Sequence, residues 1–200
     1  MLGVAMVFHT VPLAADTRSE MEDCLADGRI LKGGEELIGL TKPLKVELEC
    51  GDRQQTAVFK SLDIHKQGPY TLANGNQVFN FSDCFEYERA AYLLDRELGL
   101  NMVPVAVLRT YRGQDGVLVA WIPPVQHQDR GTRTISAPEA ASKARQLSIV
   151  HLSDSLIYNT ERREPNTLLN ESTARVYMID HTQSFREEKA LQEEFLQGRT

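Results

Sequence analysis

The order of apolar patterns along the chain predicts an α+β fold built around a small antiparallel sheet, and three observations carry this. First, Leu44-Lys45-Val46-Glu47-Leu48-Glu49-Cys50 alternates with a period of two. After Gly51-Asp52 it is answered by Thr56-Ala57-Val58-Phe59-Lys60, the pattern of a hairpin. Second, residues 85–98 repeat apolar side chains at helical spacing. Third, two more apolar runs, 102–109 and 117–122, flank the turn residues Arg112-Gly113-Gln114-Asp115-Gly116, and Pro123-Pro124 ends the second run. Two strands, a helix and two strands make a sheet with one helix packed on it.

Composition narrows the function classes. The 200 residues suit one domain, or two small lobes sharing a cleft, and can bury a core without disulfides. A net charge of -6 argues against nucleic-acid binding through a basic surface, and no apolar run approaches the length of a membrane span. Cys24, Cys50 and Cys84 are far apart and share no CxxC spacing, so neither a zinc site nor a disulfide framework is expected. The histidines His9, His65, His127, His151 and His181 are scattered without ligand spacing, which fits surface or locally bonded roles. The apolar stretch Leu2 to Phe8, followed by small residues up to Ala15, resembles the end of a signal peptide but has no positively charged n-region. Residues 1–15 are therefore a signal-peptide remnant or a disordered N-terminus, and both cytoplasm and export stay open.

In chain order, Met21, Cys24, Leu25, Ile30 and Leu31 predict one face of a short helix broken by Gly33-Gly34. The hairpin then delivers Lys60 at the end of an apolar strand. Residues 63–80 carry Gly68-Pro69 and Asn74-Gly75-Asn76 and read as a loop. Asp83 and Glu86 stand at capping-box spacing, placing the helix start at Ser82-Asp83. Its stripe is Tyr87, Ala91, Leu94 and Leu98, Glu88 lies beside the stripe, and Gly99 ends the helix.

The polar stretch 126–134 marks a boundary. Ser136 and Glu139 form a second capping-box signature with Pro138 in the first turn, opening a helix to about residue 158 with Ala140, Ala144, Leu147, Val150 and Ile157 inward. Asp154 falls on the same stripe; a buried carboxylate needs partners, so it is expected to brace the following loop. Leu168-Leu169 and residues 175–179 then predict two short paired strands, and residues 187–197 a charged helix.

Chemistry concentrates in this last third. Glu161 and Asn166 are separated by four residues, and the strand that follows ends in Asp180. In phosphoryl-transfer sites an acid receives the hydroxyl proton, while an Asn and a later Asp hold magnesium against nucleotide phosphates. Magnesium takes hard oxygen ligands and keeps waters, so one amide, one carboxylate and phosphates suffice. Lys60 and Glu88 complete the order in which a strand lysine grips phosphates and a helix glutamate pairs with it. Each residue alone has an ordinary reading as a surface charge or turn residue. The specificity lies in their combination, order and spacing.

These residues carry a resemblance to the atypical kinases that group HipA-like proteins, phosphatidylinositol 3- and 4-kinases and the Golgi casein kinases of the secretory pathway, most clearly to uncharacterised bacterial members. It rests on Ala57-Val58-Phe59-Lys60, on Tyr87-Glu88-Arg89-Ala90-Ala91-Tyr92-Leu93-Leu94-Asp95 with Leu98-Gly99-Leu100 and Val103-Pro104, on Asp154 with Asn159-Thr160-Glu161-Arg162, and on Ile179-Asp180-His181 before Ser184-Phe185. The resemblance implies a two-lobed protein-kinase-like fold, with an N-lobe over 16–124 and a short, mainly helical C-lobe over 125–200. It also implies transfer of the γ-phosphate of ATP to a hydroxyl acceptor of protein, lipid or small-molecule type. Lys60 would hold phosphates with Glu88 as its partner, and Asn166 and Asp180 would hold magnesium, with manganese as the alternative ion.

The chain departs from the family pattern in three places. Glu161 and Arg163 stand where Asn-x-Asp-Arg-His has Asp and His. A glutamate reaches about 1.5 Å further, and misplacement of about 1 Å can cost roughly 100-fold in rate. The glycine-rich phosphate loop is reduced to Gly39, and little chain follows Phe185. Two readings follow: an active kinase in which Glu161 stands in for the catalytic Asp, or a pseudokinase acting as a nucleotide- or partner-binding module. The retention of Lys60, Asn166 and Asp180 favours the first.

Overall fold

The structure is a computed structural model and describes residues 14–37, 43–72, 75–122, 136–159, 162–170 and 173–185. Gly39, Glu161, the boundary at 126–134, the expected helix at 187–197 and the first 13 residues lie outside the described residues.

The chain opens with helix α1 (Ala14–Asp27), which ends earlier than its apolar pattern predicts. Gly28 donates its N–H to the Cys24 carbonyl at 2.8 Å, and a Cβ there would meet that oxygen at 2.4 Å and Cys50 Sγ at 2.8 Å. Only glycine fits so close to α1. Ile30 and Leu31 consequently belong to a strand, β1 (Arg29–Glu36), and the Gly33-Gly34 pair lies inside it. Two register shifts interrupt its pairing with β2 (Leu44–Cys50), and Gly34 at φ +121° supplies backbone that a side chain would oppose. Cys24 and Cys50 form a disulfide that joins α1 to β2, correcting the expectation of unpaired cysteines. No local spacing encodes it, because the two meet only when α1 packs beside β2.

The expected hairpin of β2 with β3 (Arg53–Lys60) forms, Cys50 facing Arg53 across the turn. Val46, Leu48, Ala57 and Phe59 are buried on the shared inner face, as the alternation dictates. The stretch 63–80, expected to be a loop, contains strands. These are β4 (Asp63–His65), β5 (Pro69–Thr71) and β6 (Gln77–Phe79), and β7 (Ser82–Cys84) follows. β5 pairs with β6 and β4 with β7, each antiparallel and three residues long, too short for an alternating pattern to register.

This pairing removes the expected cap. Ser82 and Asp83 are buried in β7, and helix α2 (Glu86–Glu97) starts behind Phe85 with no side-chain cap. Its buried face is Glu88, Ala91, Tyr92 and Asp95; of the expected stripe Ala91 is buried and Leu94 packs on the core, while Tyr87 is half-buried and Leu98 exposed. Two carboxylates turn inward because each finds partners. Asp95 Oδ1 accepts the N–H groups of Met102 and Val103 at 2.7 and 3.1 Å, and Oδ2 accepts from Arg18 at 3.0 Å.

Strands β8 (Ala106–Tyr111) and β9 (Gln114–Ala120) complete a five-stranded antiparallel sheet in the order β1-β2-β3-β9-β8. Both α1 and α2 pack against β8 and β9, so two helices cover the sheet where one was expected. Helix α3 (Ala137–Leu156) begins with both bonds of the Ser136/Glu139 capping box in place. Its inward residues are Val150 and Asp154, with Ile157 just beyond its end. Ala140 and Ala144, expected inward, face solvent, since β11 (Arg175–Met178) rather than a broad core is what the helix packs on. β11 pairs with β10 (Thr167–Asn170) behind a single 3-10 turn, Glu164–Asn166. Among the described residues no helix is long and apolar enough to cross a membrane.

Candidate active site

Lys60 ends β3 opposite Val117 of β9. The neighbouring Gly116 leaves no room for a side chain: a Cβ there would lie 2.4 Å from the Lys60 carbonyl oxygen and 2.6 Å from the Phe59 ring. That close approach sets the height of the Lys60 backbone in the sheet. From there the ammonium pairs with Glu88 Oε1, in the first turn of α2, and with Asp180 Oδ1 at 2.9 Å. Glu88 is 2% exposed and Lys60 13%, so water is nearly excluded from their contact. Burial alone would lower the Lys60 pKa, but the Glu88 and Asp180 carboxylates outweigh it and hold the ammonium above its ordinary value. Burial would likewise raise Glu88; Lys60, with His181, holds its carboxyl well below the usual range.

The β10–β11 ribbon places the other two candidates. Thr167 pairs with Met178, and the Ile179 N–H donates to the Asn166 carbonyl at 3.1 Å, so Asn166 and Asp180 flank the same end of the ribbon. Asn166 Nδ2 lies 3.4 Å from Asp180 Oδ2. Asp180 has φ +63°, a left-handed conformation that Asp tolerates better than most residues. The four candidates Lys60, Glu88, Asn166 and Asp180 therefore meet in one place, while Glu161 and Gly39 lie outside the described residues.

Behind these residues stands a chain of buried polar groups, of which the sequence patterns assign a role only to Asp154. Arg162 uses all of its N–H groups: Nε and Nη2 donate to Asp154, Nη1 to the carbonyls of Asn166 at 2.6 Å and Ile179 at 2.7 Å, and Nη2 also to His181 Nε2 at 3.0 Å. His181 in turn reaches Glu88 Oε2 through Nδ1 at 3.3 Å. Asp154 also accepts Asn159 Nδ2 at 2.9 Å, so both Asn159 and Arg162, the described neighbours of residue 161, are anchored on α3. The bracing role expected of Asp154 is what its hydrogen bonds perform.

One further acid belongs here. Asp83, expected to cap α2, is buried in β7; Oδ2 accepts from Gln183 at 3.3 Å, while Oδ1 has no hydrogen-bond partner among the described residues. Burial pushes its carboxyl up.

No family model matches the chain, and none of the curated proteins does. In fold, the chain is similar to hydra Fam20. The solved structure of hydra Fam20 with sugar superposes with a TM-score of 0.56 over 94% of this chain and 72% of its own, at 16% identity. At that identity the likeness is one of fold. What the two chains share is a mixed α+β architecture.

The sequence offered Arg162 and His181 only as members of the resembling stretches around Glu161 and Asp180, and assigned neither of them a role. Asp83 gave the opposite signal, since an Asp three residues before a Glu reads as a cap until β7 is seen to pair with β4.

Proposed function

We propose that this protein is an atypical kinase, an ATP- and magnesium-dependent phosphotransferase acting on a hydroxyl acceptor, with the chain divided into an N-lobe (16–124) and a C-lobe (125–200). The observation that carries the reading is the Lys60 ammonium held between Glu88 and Asp180, with Asn166 beside Asp180. A lysine kept charged and directed by a buried glutamate is a fixed positive point for nucleotide phosphates. The donor set fits magnesium: the Asn166 amide and the Asp180 carboxylate offer hard oxygen ligands, and the buried carboxyl of Asp83, within electrostatic reach of Asp180 and Lys60, is a further acceptor. Magnesium bound there would neutralise charge on the phosphate oxygens.

In this reading Lys60 orients the phosphates, Glu88 orients Lys60, and Gly39 lies in the segment that approaches the nucleotide. Glu161 takes the acceptor hydroxyl proton as the acceptor oxygen–phosphorus bond forms and the bond from phosphorus to the leaving oxygen of ADP breaks. The Cys24–Cys50 disulfide supports the exported of the two compartments, since disulfides persist in oxidising environments. The pseudokinase reading is favoured by the glutamate at 161 in place of aspartate.

Thermal-shift titration with ATP and magnesium should raise the melting temperature of the intact protein and not that of Asp180→Ala; no shift in the intact protein overturns both readings. Radiolabelled phosphate transfer lost in Glu161→Ala supports the kinase. Activity created by Glu161→Asp where the natural protein has none supports the pseudokinase.

A further inference from the structure

On the ribbon formed by β4 and β7, Asp63, His65 and Cys84 bring one oxygen, one nitrogen and one sulfur donor within 4.8 Å of one another. The spacing of cysteines and histidines in sequence gives no hint of this, because strand pairing creates it: Asp63 stands opposite Cys84, and His65 opposite Ser82. Residues two apart on a strand share a face, and so do residues directly opposite, so all four side chains project from one side of the ribbon. His65 Nε2 lies 2.9 Å from Asp63 Oδ1, and its Nδ1 lies 3.2 Å from Ser82 Oγ.

We propose that this face binds one divalent cation of the zinc class through Asp63, His65 Nε2 and Cys84 Sγ, leaving a fourth position for water or an external ligand. Mixed sulfur, imidazole and carboxylate donors are the set that zinc takes and magnesium does not. Cys84 gives up its thiol proton to water as the sulfur–metal bond forms, and any proton shared between His65 Nε2 and Asp63 leaves with it. The thiolate and carboxylate then balance the two positive charges. Ser82 occupies the other ring nitrogen of His65 and orients the imidazole, the partner that ligating histidines ordinarily have. The cation would fasten β4 to β7, whose Cys84 N–H donates to the Thr182 carbonyl at 2.8 Å, two residues after Asp180.

The test is titration of the full chain, stripped with chelator, with cobalt(II) alone. A thiolate-to-cobalt charge-transfer band in the near ultraviolet should grow to one equivalent and vanish on adding zinc. Cys84 is the free cysteine, Cys24 and Cys50 being bonded to each other, so the band reports this site. It should survive Asp180→Ala, whose oxygen-ligand site gives no such band, and be lost in Cys84→Ser. Because Cys84 is buried and its replacement disturbs packing, His65→Ala, at an exposed position, decides independently of folding. Ser82→Ala should keep the band and weaken binding by about 10- to 100-fold. Absence of the band from the folded natural protein, or its full retention in folded His65→Ala, overturns the proposal.

Discussion

Arg162 Nη2 donates to His181 Nε2 at 3.0 Å, and because a guanidinium has no acceptor, His181 carries its proton on Nδ1, aimed at Glu88. A continuous path of hydrogen bonds and ion pairs therefore runs from Asp154 through Arg162, His181 and Glu88 to Lys60 and Asp180. It joins α3, the segment before β10, the segment after β11, α2 and β3 in one array, buried from Asp154 to Glu88 and reaching solvent at Asp180.

Nitrogen NMR of the ring should report His181 as the Nδ1–H tautomer. Arg162→Ala should abolish that preference and lower stability by about 3–5 kcal/mol in denaturant unfolding, because it leaves Asp154 buried without its cation. In a double-mutant cycle with Asp154→Ala the two losses should be far from additive. Additive losses would mean the two side chains do not act together.

Glu88 is held below the ordinary carboxyl value of 4.5, and Lys60 above the ordinary ammonium value of 10.5. The stability from Glu88 is present above pH 4.5 and is lost as pH falls through its lower folded value. That from Lys60 is present below pH 10.5 and is lost as pH rises through its higher folded value. Glu88→Gln should therefore unfold more easily by about 3 kcal/mol across that window, near the low end for a broken buried pair because Asp180 still contacts Lys60. The gap between the two proteins should narrow below pH 4.5. A gap that stays constant into acid would show that the pair does not act through charge.

Gly116→Ala should cost about 1–3 kcal/mol, since the new methyl group meets backbone oxygen and an aromatic ring, neither of which can swing away. The same displacement moves Lys60, so ATP affinity should fall in the fraction that remains folded. Unfolding curves and nucleotide titration of one preparation check both effects.

Reducing the Cys24–Cys50 bridge should lower stability by about 2–4 kcal/mol without removing the Lys60 array, which lies in other elements. Melting with and without reductant measures the first effect. The pH dependence of Glu88→Gln, repeated under reductant, measures the second.

Much of the fold was legible because its signals are local. The alternation from Leu44 to Cys50 and the run ending at Lys60 need only a strand and its turn, and the Ser136/Glu139 box needs only the first turn of α3. Asn166 and Asp180 were legible as neighbours because a short hairpin brings its own two ends together. The face of α2 was not, since helical periodicity favours burying Leu98 over Glu88. The carboxylate turns inward only because Lys60 and His181 are already there to receive it.

The sequence by itself determined the hairpin that carries Lys60, the helices that carry Glu88 and Asp154, and the ribbon that carries Asn166 and Asp180. Only the tertiary structure decided that Arg162 and His181 connect them, that Asp83 is buried rather than a cap, that Cys24 meets Cys50, and that Asp63, His65 and Cys84 share one face. The physical reason is range: periodicity and capping act within a turn or a strand pair. The Glu88–His181 contact spans 93 residues, and it exists only where packed elements exclude water and oblige buried polar groups to find one another.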